Sequence, residues 1–168
     1  SALVMRACWA APSPNDWETG SALTQKLAQP VTLSWTNAPA ARALANLSEL
    51  QHVAILVDRR VDPGQEITLA ATGMPLGELL GEAARQLNAG YTQYGPVAYI
   101  GPAEAARTLR TLAALGLEDV RKLPAERAKK LLTLRAWQWD DFAEPRQLAT
   151  DLAKDAQIEL IGAELIPH

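Results

Sequence analysis

"VTLSWTNAPAARALANL", residues 31–47, is the stretch on which the reading of this chain turns. Val31, Leu33 and Trp35 alternate with Thr32, Ser34 and Thr36, which is the period of a half-buried strand. "TNAP" then breaks the strand. Asn37 is suited to cap the following helix, on which Ala43, Leu44, Leu47 and Leu50 form an apolar stripe. The phrase returns at 67–84, "ITLAATGMPLGELLGEAA", and more loosely at 132–153, "LTLRAWQWDDFAEPRQLATDLA". A unit this small cannot bury its apolar faces alone, so the repetition predicts copies packed on one another.

Outward from the first phrase, "APSPNDWETG" (11–20) reads as an irregular lead-in, and Ser21 to Gln29 as a short helix with Leu23 and Leu27 on one face, ended by Pro30. Downstream, "VAILV" (53–57) is a β-branched strand. A type II turn at Pro63-Gly64 is expected to join it to "ITLAA" as a hairpin. A second helix runs from about Pro75 to Asn88, facing inward with Leu76, Leu79, Leu80, Ala83, Ala84 and Leu87, and with Pro75 in its first turn. "YTQYGPVAYIG" is a hairpin turning at Gly95-Pro96. Residues 103–131 predict two short helices, broken at Gly116 and restarted at Pro124. The third phrase supplies a strand with Leu134 and Ala136, a corner capped by Asp140 or Asp141, a helix lined by Leu148, Leu152 and Ala156, and a closing hairpin at Gly162-Ala163. "YTQYGPVAYI" (91–100) and "IELIGAELIP" (158–167) align at a constant offset with Gly95 over Gly162 and Tyr94 over Ile161, and the helices before them align if one residue is dropped at the helix-to-strand join.

The expected class is α+β, built from small βα-hairpin repeats in the order β-α-β-β-α-β, with mixed or antiparallel sheets packed on two helices. The divisions are a lead-in at 1–16, an α/β module at 17–102, a helical connector at 103–131, and a second, partial βαββ module at 132–168. The chain stops at "ELIPH" without a polar tail, and that second module is expected to be truncated.

The stretch from "ALTQKLAQPVTLSW" to "YTQYGPVAYIG", about 80 residues, resembles the short domain at the N-termini of secretins and TonB-dependent transducers (STN). The features that carry the resemblance are the strand Val31–Trp35, the "ALANL" helix Ala43–Leu47, a strand ending at Asp58, the Pro63-Gly64 turn, the "LGELL" helix Leu76–Leu80 and the strand pair Tyr91–Ile100. The resemblance implies a small α/β module of the bacterial cell envelope, periplasmic or otherwise extracytoplasmic, that makes protein contacts and performs no catalysis.

The totals fit an ordinary globular protein: 168 residues, 48% hydrophobic and 21% charged. A net charge of −3 opposes a dedicated nucleic-acid surface, so no nucleic-acid partner is expected. Arg59-Arg60 and Lys129-Lys130, two of the adjacent basic pairs, read as solvated surface. No apolar run reaches the length of a membrane span, so this stretch is not expected to insert into a membrane.

Catalytic and metal chemistry find little to work with. Cys8 is the single cysteine, with no histidine near it in sequence, which excludes an intrachain disulfide and suits a passive thiol. His52 and His168 stand apart from any ligand-spaced cluster, and His52 falls where a helix ends and its carbonyls need partners. The adjacent carboxylates Asp140 and Asp141 suit caps better than an acid/base pair, which must flank a substrate. "GMPLG" (73–77) suits the start of a helix better than a phosphate cradle. No catalytic, cofactor-binding or metal residue is expected, and no cofactor.

The tryptophans are more telling. Trp35 continues the apolar face of Val31 and Leu33 and is expected in the core. Trp137 and Trp139 share a face with Arg135, opposite Leu134 and Ala136, and aromatic and Arg side chains are enriched at interface hot spots. Arg135, Trp137 and Trp139 are therefore the candidate partner-binding residues, and strand edges are the second candidate surface. The expected role is a protein-interaction or assembly module with protein partners, self-association included. The alternatives are part of an enzyme whose site is completed by sequence elsewhere, which a deep polar pocket would favour, and, more remotely, a nucleic-acid-binding βα module.

Overall fold

The computed structural model describes residues 17–133 and 144–166. The fold is α+β, and the chain divides into two compact units between Ala113 and Ala114.

In the first unit, helix α1 (Gly20–Ala28) buries Leu23 and Leu27 and ends before Pro30. Strand β1 (Pro30–Pro39) leads into helix α2 (Ala40–Gln51), strand β2 (Ile55–Val57), strand β3 (Glu66–Pro75), helix α3 (Leu76–Gln86), and the strands β4 (Gly90–Tyr94) and β5 (Val97–Gly101). β1 pairs antiparallel with β3. β2 and β4 flank β5, β2 parallel to it and β4 antiparallel. Helix α2 touches β1 and β2, and α3 touches β3, β4 and β5, so each helix bridges both sheets. The core holds Leu44, Leu47, Leu76, Leu79, Leu80, Ile67 and Ile100 at their junction, and Trp35 packs against it partly buried.

The two phrases are related element by element. Pro39 and Pro75 occupy the N-cap positions of α2 and α3 with nearly identical backbone angles. His52 (φ +54°) and Asn88 (φ +53°) are the left-handed residues that follow the two helices. Val53 N–H donates to Ser48 O and Ala89 N–H to Ala84 O; Ala40 N–H donates to Gln65 O and Leu76 N–H to Gln29 O. The equivalent residues Ser34 and Ala70 pair with each other in the β1–β3 ladder, so an internal twofold axis passes between them. On either side of that axis lies a bulge. At one, Asn37 (φ +48°) donates its N–H to Thr68 Oγ1 at 3.0 Å; at the other, Gly73 (φ +63°) donates its N–H to Thr32 Oγ1 at 3.2 Å. The left-handed backbone that a bulge of this kind needs explains why Gly and Asn stand there.

Several expectations are corrected. The strand at 53–57 does not form a hairpin with "ITLAA": β2 joins β5 and β3 joins β1, an arrangement in which Ile55 and Val57 pack partly buried against the common core. Gly64 is outside the left-handed region, so Pro63-Gly64 is not a type II turn; the Asp62 carboxylate accepts the Gly64 N–H and closes it instead. Asn37 serves the bulge and Pro39 is the N-cap. Leu50 leaves the α2 stripe and is 74% exposed, since the sheets reach only as far as Leu47 and Ser48. Pro75 precedes α3 rather than lying inside its first turn.

Helix α4 (Ala103–Arg121) runs unbroken through Gly116, and helix α5 (Ala125–Leu132) follows after Pro124. The break thus falls at 122–124, where proline forces it, because one exposed glycine weakens a helix without ending it. In the second unit, helix α6 (Pro145–Ala156) ends at Gln157. The guanidinium of Arg146 donates to the carbonyls of Glu164 and Ile166, tying residues 158–166 back along the helix. The hairpin expected at Gly162-Ala163 is absent: Gly162 has φ +78°, yet Ala163–Leu165 is a short 3-10 turn. From the left-handed residue to the glycine this phrase is two residues shorter than Asn88 to Gly95, not one, and no described strand lies beside it to pair with. The strand expected around Leu134 and Ala136 and the caps Asp140 and Asp141 lie outside the described residues, as do Cys8 and His168.

Candidate functional site

β2 is a sheet edge. The Ala54 carbonyl and Asp58 N–H both bond to β5, with Ala98 N–H and Ile100 O as partners at 2.8 Å. In a parallel ladder the alternate residues bond to opposite sides. The main-chain groups of Ile55 and Val57 therefore point away from β5, where no described strand covers them. Beside this edge runs a cleft of about 410 Å³, walled by Ala41, Leu44 and Ala45 of α2, by Ile55 and Val57, and by the 58–63 loop. The small alanines keep the helix wall low enough for another backbone to approach.

A charged clamp fixes the loop. The Asp58 carboxylate accepts the Arg60 N–H at 2.9 Å, the Arg60 Nε and Nη2 at 2.8 Å each, and the Tyr99 hydroxyl at 2.7 Å. The Arg60 guanidinium, and after it the Tyr99 hydroxyl, hold the Asp58 carboxyl well below the usual carboxylate range against the opposing effect of partial burial. Burial first, and the neighbouring Asp58 second, push the Tyr99 phenol up. Gly101 makes room for the clamp: a Cβ there would overlap the Tyr99 hydroxyl and come within 2.8 Å of Asp58 Cβ. With Arg60 committed to Asp58, Arg59 is the exposed cation on the cleft, and it has no ion-pair partner among the described residues.

By the internal twofold, the matching position lies between α3 and β4. There Tyr91 replaces Ile55, and glycines 77 and 81 replace Ala41 and Ala45. The ring of Tyr91 lies over both glycines, its hydroxyl 3.5 Å from where a Gly77 Cβ would sit, and burial pushes its phenol up. This basin, about 570 Å³, is shallower and edged by the polar Thr24, Glu78, Gln93 and Arg110. Gln93 Nε2 reaches Thr24 Oγ1 of α1 at 3.5 Å. The two edges are thus unlike, and the apolar cleft belongs to β2.

Arg135, Trp137 and Trp139 lie outside the described residues. His52 sits at the end of α2, where its N–H meets the carbonyls of Ser48 and Glu49. Arg60, read as solvated surface, is the clamp's cation. The sequence signal for the clamp is "LVDRR" at 56–60, an acid closing a β-branched run with two arginines behind it; the third member, Tyr99, is far away in sequence. Among the described residues no group of three His, Cys, Asp or Glu is placed to hold a metal ion, and no helix is long and apolar enough to cross a membrane.

Comparison of the chain with protein-family models, with curated proteins and with solved structures returned no match.

Proposed function

We propose that this chain is a non-catalytic protein-interaction module, of STN-like design and belonging to a bacterial cell envelope, that takes up an extended segment of a partner protein along the β2 edge. The observation that carries this reading is a strand edge left unpaired among the described residues with an apolar cleft alongside it. Main-chain hydrogen bonds to Ile55 and Val57 would supply affinity, and alternate side chains of the bound segment would enter the cleft between Leu44, Ala45 and Val57. Arg59 favours a segment with a carboxylate near one end of its apolar stretch. The Asp58 clamp keeps the loop in place before binding, which lowers the ordering cost. The Arg135, Trp137 and Trp139 face remains a second proposed contact, resting on composition alone.

The test is selection of extended peptides from a random library, followed by titration of the best binder into labelled protein. Amide shifts centred on residues 54–58, together with slowed exchange at Ile55 and Val57, are the expected result, and Ala45→Glu should abolish them. Shifts elsewhere, or binding that Ala45→Glu leaves intact, would reject the β2 assignment.

A further inference from the structure

We propose that the segment taken up along β2 is β2 of a second copy of this chain, paired antiparallel about a twofold axis through Leu56. The inference rests on the reading of β2 as a docking edge and names the occupant of that edge.

The edge matches itself. Its main chain turns outward at Ile55 and Val57, on either side of Leu56. An antiparallel copy centred on Leu56 sets Ile55 opposite Val57 of the second copy, and Val57 opposite its Ile55. These are the residues whose groups point outward, so each opposed pair exchanges both of its N–H to carbonyl bonds. A twofold interface requires such a match, because one patch must serve as both halves. Between the two pairs, the Leu56 side chains meet on the axis as a close, non-hydrogen-bonded pair. Leu56 is 51% exposed in the single chain, whereas Ile55 and Val57 are partly buried. Neither a charge nor a proline within Ile55–Val57 guards the edge, as such residues do on strands that stay unpaired.

The charges select a second copy rather than an unrelated strand. In the same register Arg59 comes opposite Val53 of the second copy. Val53 is tied to the last turns of α2: its N–H donates to Ser48 O at 3.1 Å, and its carbonyl accepts the Ser48 hydroxyl at 2.7 Å. Glu49 follows Ser48 and is exposed, with no ion-pair partner among the described residues. Arg59 is exposed on the cleft and equally unpaired. Each Arg59 is thereby brought to Glu49 of the second copy and to the C-terminal end of its α2, where the helix dipole also favours a cation. The twofold makes this contact at both ends of the interface. Ala41 and Ala45 line the same cleft, and their short side chains let the α2 helices of the two copies approach.

The experiment is the solution mass of the whole chain, by light scattering and sedimentation across a dilution series, for wild type, Arg59→Glu, Glu49→Arg and the two combined. A species of twice 18.1 kDa is expected for wild type. Either single reversal sets like charges together at both ends and should return the mass to that of one chain, and the combined variant should restore the dimer. Leu56→Asp, which brings two carboxylates together on the axis, should also give single chains. If circular dichroism shows that Leu56→Asp has lost its helices, the charge exchange, confined to exposed side chains, decides alone. A wild-type chain that is monomeric at every dilution overturns the inference. If the selected peptide still shifts residues 54–58 of that monomer, the docking edge stands and its occupant is a strand of another protein. A dimer that survives both single reversals, a combined variant that stays monomeric, or a stoichiometry other than two overturns the inference as well.

Discussion

Asp58 shows how one residue organises a surface. Its carboxylate has four donors, three from Arg60 and one from Tyr99, and it stands where β2 gives way to the loop that walls the cleft. Because its folded-state carboxyl lies below the unfolded value, the stability it contributes is present above about pH 4, where the unfolded carboxyl is ionised, and is lost as the pH falls further. Arg60 is exposed, so screening reduces the ion pair's share. Asp58→Asn is expected to cost about 1–2 kcal/mol at pH 7, since it leaves the donors poorly matched. Denaturant titrations at pH 7 and pH 3 would check this: the gap between wild type and variant should shrink at the lower pH, and an equal gap at both would refute the clamp. The acid itself is legible in the sequence as the end of a β-branched run. Its tyrosine is not, because their contact depends on β2 lying parallel to β5.

At the scale of elements, α3 was the most readable: Leu76, Leu79, Leu80, Ala83, Ala84 and Leu87 are all buried, as their helical spacing predicts. α2 was readable except at Leu50, because periodicity names a face but not how far along the helix the neighbouring sheets extend. The strand at 53–57 is legible in the sequence, but its partner is not. Hairpin logic favours the next strand in sequence, whereas the chain's internal symmetry sends β2 and β4 to opposite edges of β5. Gly116 marks a further limit of local signals. It sits inside α4 with nothing within 4 Å of where a Cβ would be, so Gly116→Ala should stabilise the protein by about 0.5–1 kcal/mol. An increased denaturant midpoint with an unchanged slope is the expected reading. A neutral or destabilising result would return the glycine to the role of a helix break.

For the whole molecule, every residue of the main core lies between Leu23 and Ile100, inside the first unit. A chain from Trp17 to Ala113 is therefore expected to fold alone, with one cooperative thermal transition near that of the first unit in the full-length protein. A broad, non-cooperative melt would show that the core depends on residues beyond Ala113. Local patterning alone makes the α+β class and the repeated strand-corner-helix phrase legible, because alternation and helical spacing are properties of neighbouring residues. It also marked the acid at the end of β2. Long-range packing set which strands pair, which edge no other described strand covers, that Arg60 meets Asp58, and that the third phrase turns into a 3-10 segment instead of a hairpin. Those outcomes depend on groups far apart along the chain: a strand forms where another offers hydrogen bonds, and a cleft stays open where nothing distant comes to fill it.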